Sequence, residues 1–222
     1  MDARLETAWP LFDLRLRTER LVLRLPTDVD LVSLMALARA GIHPPGEMPF
    51  GVAWSTVPSP AFERDFLQHH WSRRGTWTAD DWWLNLLVER DGDPIGSQTV
   101  HAVRFSETRT VHTGSWLGRA FQGRGFGKEM RGAVLGFAFD GLGARLAATE
   151  AFLDNAASNG VSHSLGYRDD GFGSLAPEGI ERATQRFTMT SDDWHSRSRP
   201  LLEIDGLEAC LVMFGVGRDS TT

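Results

Sequence analysis

Apolar residues recur along this chain at two spacings, and each spacing predicts a kind of element. Arg15 to Leu25 has alternating stretches, and Leu21, Leu23 and Leu25 share one face of a strand. Thr27 and Asp30 resemble a capping box. They precede Leu31, Leu34, Met35 and Ala38 at helical spacing, and Gly41 supplies the stop. Residues 42–57 keep neither period; proline, glycine and large apolar side chains there predict a shaped loop. Ser59-Pro60 opens a second helix, with Phe62, Phe66 and Leu67 on its apolar side. Trp82–Glu89, Ile95–Phe105 and Arg109–Gly118 read as three strands, the first two joined by a turn at 90–94. A loop over Gly118–Gly127 then opens a helix running to about Asp140, whose core stripe is Met130, Val134, Phe137 and Ala138. Arg145–Ala151 is a strand. Asn155 caps a short helix bearing Ser158, Val161 and Leu165, stopped by Gly166, and Arg182–Met189 alternates as a strand. The order predicts an α/β (α+β) fold, with an antiparallel first half and a crossover helix between two central strands.

Length and composition narrow this further. A chain of 222 residues suits one domain, 1–222, and 41% hydrophobic with 23% charged residues is ordinary for a globular protein. The single cysteine, Cys210, can form neither an internal disulfide nor a thiolate zinc site alone. The histidines are scattered, and His69-His70 sit adjacent on a helix and point apart, so no metal is expected. Met1 to Trp9 carries acids and no apolar run, and no stretch approaches membrane-span length. The expectation is a cytoplasmic protein without membrane or signal segments. A net charge of −6 argues against nucleic acid as a partner, although Arg119, Arg124, Lys128 and Arg131 make a local basic patch. The C-terminal stretch holding Leu202, Ile204, Leu207, Leu211, Val212, Met213 and Phe214 must be covered, either by the core or by a second copy in a homodimer.

The basic patch surrounds Gln122-Gly123-Arg124-Gly125-Phe126-Gly127. Glycines that let backbone N–H groups approach closely, placed before a helix N-terminus, are what a phosphate requires. A Walker A loop would need glycine in place of Gln122 and Ser or Thr in place of Glu129. A dinucleotide fingerprint would need glycine in place of Lys128 and a position after the first strand of its unit. In Gly114-Ser115-Trp116-Leu117-Gly118 the serine stands one place too early for a hydrolase elbow.

The remaining pattern, Gln-x-x-Gly-x-Gly, resembles the acyl-CoA pyrophosphate loop of the GNAT superfamily. Further motifs are similar to its ribosomal-protein N-acetyltransferase branch, in that branch's order. They are Thr18-Glu19-Arg20-Leu21-Val22-Leu23-Arg24, the Gly114–Gly118 strand, Asp154-Asn155-Ala156-Ala157-Ser158 with Leu165-Gly166-Tyr167, and Met189-Thr190-Ser191-Asp192-Asp193-Trp194. The resemblance covers 18–194 and leaves 195–222 as an extension. It implies a mixed central sheet flanked by helices, and an amine that attacks an acyl-CoA thioester directly. Acetyl-CoA is the expected donor, and a bulkier one such as succinyl-CoA is the alternative; a catalytically silent acyl-CoA-binding module also remains open. The acceptor is a protein N-terminus, a lysine or a small molecule. Trp116, Leu117 and Gly118 would pair with the pantetheine arm, and Gln122, Gly123, Arg124, Gly125, Phe126, Gly127 and Lys128 would hold the pyrophosphate. Asn155 would bind pantetheine and Ser158 the leaving sulfur; as residue types the two also suit a helix N-cap and close packing. Glu150 is the candidate base, with His43, Glu47, Asp80, Asp81 and His112 as alternatives. The acceptor pocket is expected among His43, Glu47, Phe50, Trp54 and Trp83, with Trp82 and Trp116 nearby.

Overall fold

The computed structural model describes residues 3–217. Its centre is one nine-stranded sheet built from β1 (Arg15–Arg17), β2 (Val22–Arg24), β3 (Asp81–Arg90), β4 (Asp93–Val103), β5 (Thr110–Leu117), β6 (Leu146–Phe152), β7 (Arg168–Leu175), β8 (Arg182–Thr190) and β9 (Glu203–Asp205). The order across the sheet is β7-β8-β6-β5-β4-β3-β2-β1-β9. β5 and β6 are parallel and the other neighbours antiparallel. A parallel pair needs a crossover. The helix after the glycine loop provides it.

The helices are α1 (Ala3–Ala8), α2 (Asp28–Ala40), α3 (Ala61–Gly75), α4 (Phe105–Thr108), α5 (Phe126–Gly136), α6 (Ala156–Leu165), α7 (Ser191–His195) and α8 (Leu207–Cys210). The capping box of α2 forms as expected: Thr27 Oγ1 accepts from Asp30 N–H, and Asp30 accepts from Thr27 N–H. Two apolar clusters pack on the sheet. The larger joins Trp82, Leu84, Leu86 and Val88 of β3 to α5 and the C-terminal segment. The smaller joins Leu87 to α2, α3 and Trp116. β3 is therefore buried on both faces, its apolar run broken only by Asn85, rather than alternating buried and exposed.

Several boundaries differ from the sequence expectation. Arg15–Leu25 is a hairpin, because Thr18 N–H donates to Leu21 O (2.9 Å) and folds the segment so that Leu16 faces Leu23. Arg104 and Arg109, both in the left-handed region, enclose α4 and cut the strand expected to reach Phe105 at Val103. The helix expected to reach Asp140 is regular to Gly136 and ends as a π-turn over Phe137–Gly141. Strand β7 escaped the pattern because it is an exposed edge strand of charged residues and glycines.

The apolar C-terminal segment is covered within the chain. Cys210 and Phe214 are fully buried, and Phe214 meets the rings of Trp77, Trp82 and Phe137 edge-on at 5.5, 4.9 and 5.4 Å. Leu201 and Val212 stay exposed.

Candidate active site

β5 and β6 pair over only three positions, ending at His112↔Ala148. Beyond these, β5 stays with β4 as far as Leu117, and β6 stays with β8 as far as Phe152. The two central strands therefore part, leaving a cleft at the centre of the sheet. The side chain of Thr149 replaces the first missing rung, its hydroxyl donating to Thr113 O (2.9 Å). Beneath it lies Arg131 of α5, only 3% exposed. Its Nη1 donates to Thr149 Oγ1 (3.3 Å) and its Nη2 to Ser115 Oγ (3.2 Å), so one guanidinium spans both strands where they separate. Arg131 thus leaves the basic patch that the sequence suggested: a helix turn carries it inward, while Arg119, Arg124 and Lys128 remain exposed. The signal was present, since Arg131, Val134, Leu135 and Ala138 fall at i, i+3, i+4 and i+7 on one buried stripe.

The glycine loop leads from the open end of β5 into α5. Gly123 (φ 71°) and Gly125 (φ 81°) are left-handed, a conformation that suits glycine and strains other residues. Glu129 N–H closes on Gly125 O (3.1 Å) and starts the helical ladder. The N–H groups from Gly123 to Lys128 are the orphan donors of that helix start. The exposed Arg124 and Lys128 lie beside them, so unpaired N–H groups and two cations gather at one end of α5.

Gln122 serves this loop by holding it. Its side-chain NH2 donates to Ile42 O (2.8 Å) and Leu117 O (2.9 Å), and its backbone N–H to Arg119 O (3.3 Å). A second clamp was not foreseen. Glu129 accepts from Thr18 Oγ1 (2.6 Å), Arg20 N–H (3.0 Å) and Arg20 Nε (2.7 Å), and the Arg20 guanidinium lies over the Phe126 ring at 4.6 Å.

At the other lip of the cleft, Asn155 caps α6 through Oδ1, which accepts from Ser158 N–H (3.0 Å). The cap occupies the oxygen of Asn155, while its NH2 is the end that can donate to a ligand. Ser158 is half-buried on the first turn. α6 packs beside Gly127 with room to spare: a Cβ there would stand at ordinary contact distance, 3.6 Å from Val161 and 3.9 Å from Leu117.

The aromatic residues form two groups. Trp54 is the hub of the first, with ring centroids 5.2 Å from Phe50 and 5.8 Å from Trp116, and His43 packs on Phe50 at 5.9 Å. His43 Nε2 is 2.8 Å from Ser55 Oγ. Glu47 is exposed on the same loop. Arg182 ties this loop to the far side of the cleft: it donates to Met48 O (2.6 Å) and to both carboxylate oxygens of Asp154 (2.8 Å each), and stacks on Phe152.

Trp83 belongs elsewhere. It stacks on His101 (3.8 Å, 3°), which stacks on His112 (5.0 Å), with Arg73 over the outer face of Trp83. This row crosses β3, β4 and β5 in register, four residues along β3 from Leu87, which lies in register with Ser97 and through it with Trp116. That is a separation of about 13 Å at strand rise, so Trp83 and the Trp54 group do not share a pocket. Burial pushes His101 down to about 4 and lowers His112 as well, leaving both neutral near pH 7.

Glu150 lies on β6 beyond the parting, exposed, and accepts a hydrogen bond from Thr184 Oγ1. Among the described residues no helix is long and apolar enough to cross a membrane, and no group of three metal-binding side chains occurs.

Solved structures share this architecture. RimJ of Mycobacterium smegmatis, determined with CoA-disulfide, superposes with a TM-score of 0.66 at 16% identity, covering 91% of this chain and 94% of that one. A GNAT-family acetyltransferase from Bacillus anthracis gives 0.65 at 15% identity, over 80% and 99% of the two chains. The microcin C7 self-immunity acetyltransferase MccE, determined with acetyl-CoA and AMP, gives 0.61 at 14%, over 78% and 93%. At these identities the likeness is one of fold. The sequence itself matches the family model described as an acetyltransferase (GNAT) domain over residues 20–168, from the hairpin that clamps the glycine loop to the start of β7. A match over that much of the chain, on a sheet parted beside a glycine-rich helix start, makes the protein a member of the GNAT acetyltransferase family and an acyl-CoA-dependent N-acyltransferase.

Proposed function

We propose that this protein moves an acyl group from acyl-CoA to a primary amine by direct attack, with both substrates bound together. The observation that carries the reading is the parting of β5 from β6 beside the N–H array of Gly123 to Lys128. The array and its flanking cations hold the pyrophosphate, and the freed edge of β5 at Trp116, Leu117 and Gly118 offers backbone groups to the pantetheine arm in the manner of an added strand. The Asn155 NH2 steadies that arm, and the Ser158 hydroxyl donates to the sulfur as it leaves.

The amine enters from the side of His43, Glu47, Phe50 and Trp54. Glu150 accepts its proton directly or through water, and Thr184 holds the carboxylate in place. Orientation of two bound substrates supplies most of the acceleration, so no covalent acyl-enzyme is required. Cys210, fully buried and with its thiol pushed up to about 11 by burial, is unsuited to be a nucleophile.

The test is release of free CoA thiol from acyl-CoA over a panel of amines: N-terminal peptides, lysine peptides and small polyamines. Thiol release that depends on one acceptor class supports transfer. Melting stabilised by CoA with no release for any amine would instead indicate a binding module. Within a working assay, Ser158→Ala should lower kcat by about tenfold or more while Asn155→Ala raises KM for acyl-CoA. An unchanged kcat in Ser158→Ala removes that residue's role.

A further inference from the structure

Arg131 is a charge without a counter-charge. The residue is 3% exposed, and a guanidinium keeps its proton under any ordinary condition. Its partners are hydroxyls: Thr149 and Ser115 at 3.3 and 3.2 Å, and the buried phenol of Tyr167. No ion pair among the described residues includes it, and its Nε is buried without a partner. The chain treats its other arginines differently. Arg24, also partly buried, meets both Asp30 and Glu89, and Glu129, two residues from Arg131 on the same helix, is committed to Arg20. A buried cation balanced only by dipoles is costly, and such sites ordinarily hold a paired charge. Here the missing anion has a place from which to arrive, because the guanidinium bridges β5 and β6 where they part, and its contact with Ser115 is the partly exposed one.

We infer that Arg131 reads the donor's acyl chain, selecting a thioester whose acyl group ends in a carboxylate: a dicarboxylic acyl-CoA. The inference rests on the acyl-CoA reading above. Pantetheine running along β5 from Gly118 toward Thr113 brings the thioester to the level of Arg131 and Thr149. The hydroxyls of Thr149, Ser115 and Tyr167 can rotate, accepting from the guanidinium alone and donating to a carboxylate when one is present. In the reaction the amine nitrogen bonds to the thioester carbon and the carbon–sulfur bond breaks. The thiolate takes up the proton shed by the amine and leaves as CoA. The distal carboxylate is carried unchanged into the amide, so a cationic acceptor becomes an acidic product.

The experiment compares succinyl-CoA with butyryl-CoA, equal in carbon number and lacking the charge, on the full chain. Both melting shift and thiol release are read, with CoA and acetyl-CoA alongside. Wild type should favour succinyl-CoA over butyryl-CoA in kcat/KM by roughly 30-fold or more, the lower end of what one partner of a buried charge pair is worth. Arg131→Leu should lose that preference while CoA itself still raises the melting point. If the variant does not fold, the wild-type comparison decides alone. Equal handling of the two donors by wild type overturns the inference. So does an Arg131→Leu that loses both donors in the same proportion, since that would mean Arg131 serves a charge developed with any acyl group. A melting shift with CoA that is identical for all thioesters overturns this inference only; no shift with CoA at all overturns the acyl-CoA reading together with it.

Discussion

Three glycines of one loop should respond to alanine in opposite ways. Gly123 and Gly125 hold φ of 71° and 81°. An added Cβ at Gly123 meets nothing within 4 Å, and one at Gly125 meets only the tip of Arg20 at 3.4 Å, so the cost at both is conformational. Holding an L-residue left-handed costs about 1–2 kcal/mol. In a chain of this length that lowers Tm by about 2–8 °C. Gly127 is already helical, and its new Cβ would sit at ordinary contact distance from Val161 and Leu117. Alanine there should gain up to about 1 kcal/mol from backbone entropy. Melting of the three variants with and without CoA separates them. Gly123→Ala and Gly125→Ala should melt lower and lose most of the CoA-induced rise, because their N–H groups turn away. Gly127→Ala should melt at or above wild type and keep the rise. A Gly125→Ala that keeps both its midpoint and its CoA response would refute the assignment of the loop.

The C-terminal segment should behave as core: Phe214→Ala should cost about 3–5 kcal/mol, a fall of several degrees that is the same across a tenfold range of protein concentration, and a concentration-dependent loss would point to a contact between chains instead. Stability should also fall as pH drops from about 6.5 to 4. Folded His101 gives up its proton down to about 4 while the unfolded residue binds one below 6.5, so the unfolded chain takes up more protons across that window. His101→Phe, which keeps the stack with Trp83 and removes a buried unpartnered Nδ1, should flatten the midpoint against pH; an unchanged slope would mean His101 is more open to water than its place in the stack indicates.

What could be read from the sequence followed from local physics. The capping box at Thr27, the glycine stops at Gly41 and Gly166, and the α5 stripe are decided by neighbours within a turn, and each stands where its spacing put it. What could not be read depended on residues far apart in the chain. Nothing local in Arg15–Leu25 announces a hairpin. Thr18 turns there, and the turn is fastened to Glu129, which lies more than a hundred positions away. Residue type alone groups Trp83 with Trp54, whereas strand register sends them to different stretches of the sheet. Arg131 reads as a surface charge when grouped by type with Arg119, Arg124 and Lys128, whereas helical spacing places it with Val134, Leu135 and Ala138.

The glycine loop shows why a site made of loop backbone can still be stiff. Its N–H groups can favour an anion only if they already point together before it arrives, since any ordering on binding subtracts from affinity. Three tethers supply that order. Gln122 fastens the loop to Ile42 and Leu117, and Arg119 N–H holds Gly41 O (3.0 Å), so the end of α2 and the end of β5 are fixed to the same turn. Glu129 fastens the first turn of α5 to the β1–β2 hairpin. An acid so near a helix start would ordinarily oppose a second anion. Here Arg20 neutralises it and donates further, Arg20 Nη1 reaching Arg124 O (3.3 Å), so the clamp adds rigidity without adding net negative charge beside the loop's N–H groups. The β1–β2 hairpin thus stiffens the glycine loop from outside it, through Arg20, the residue with which the family match also begins.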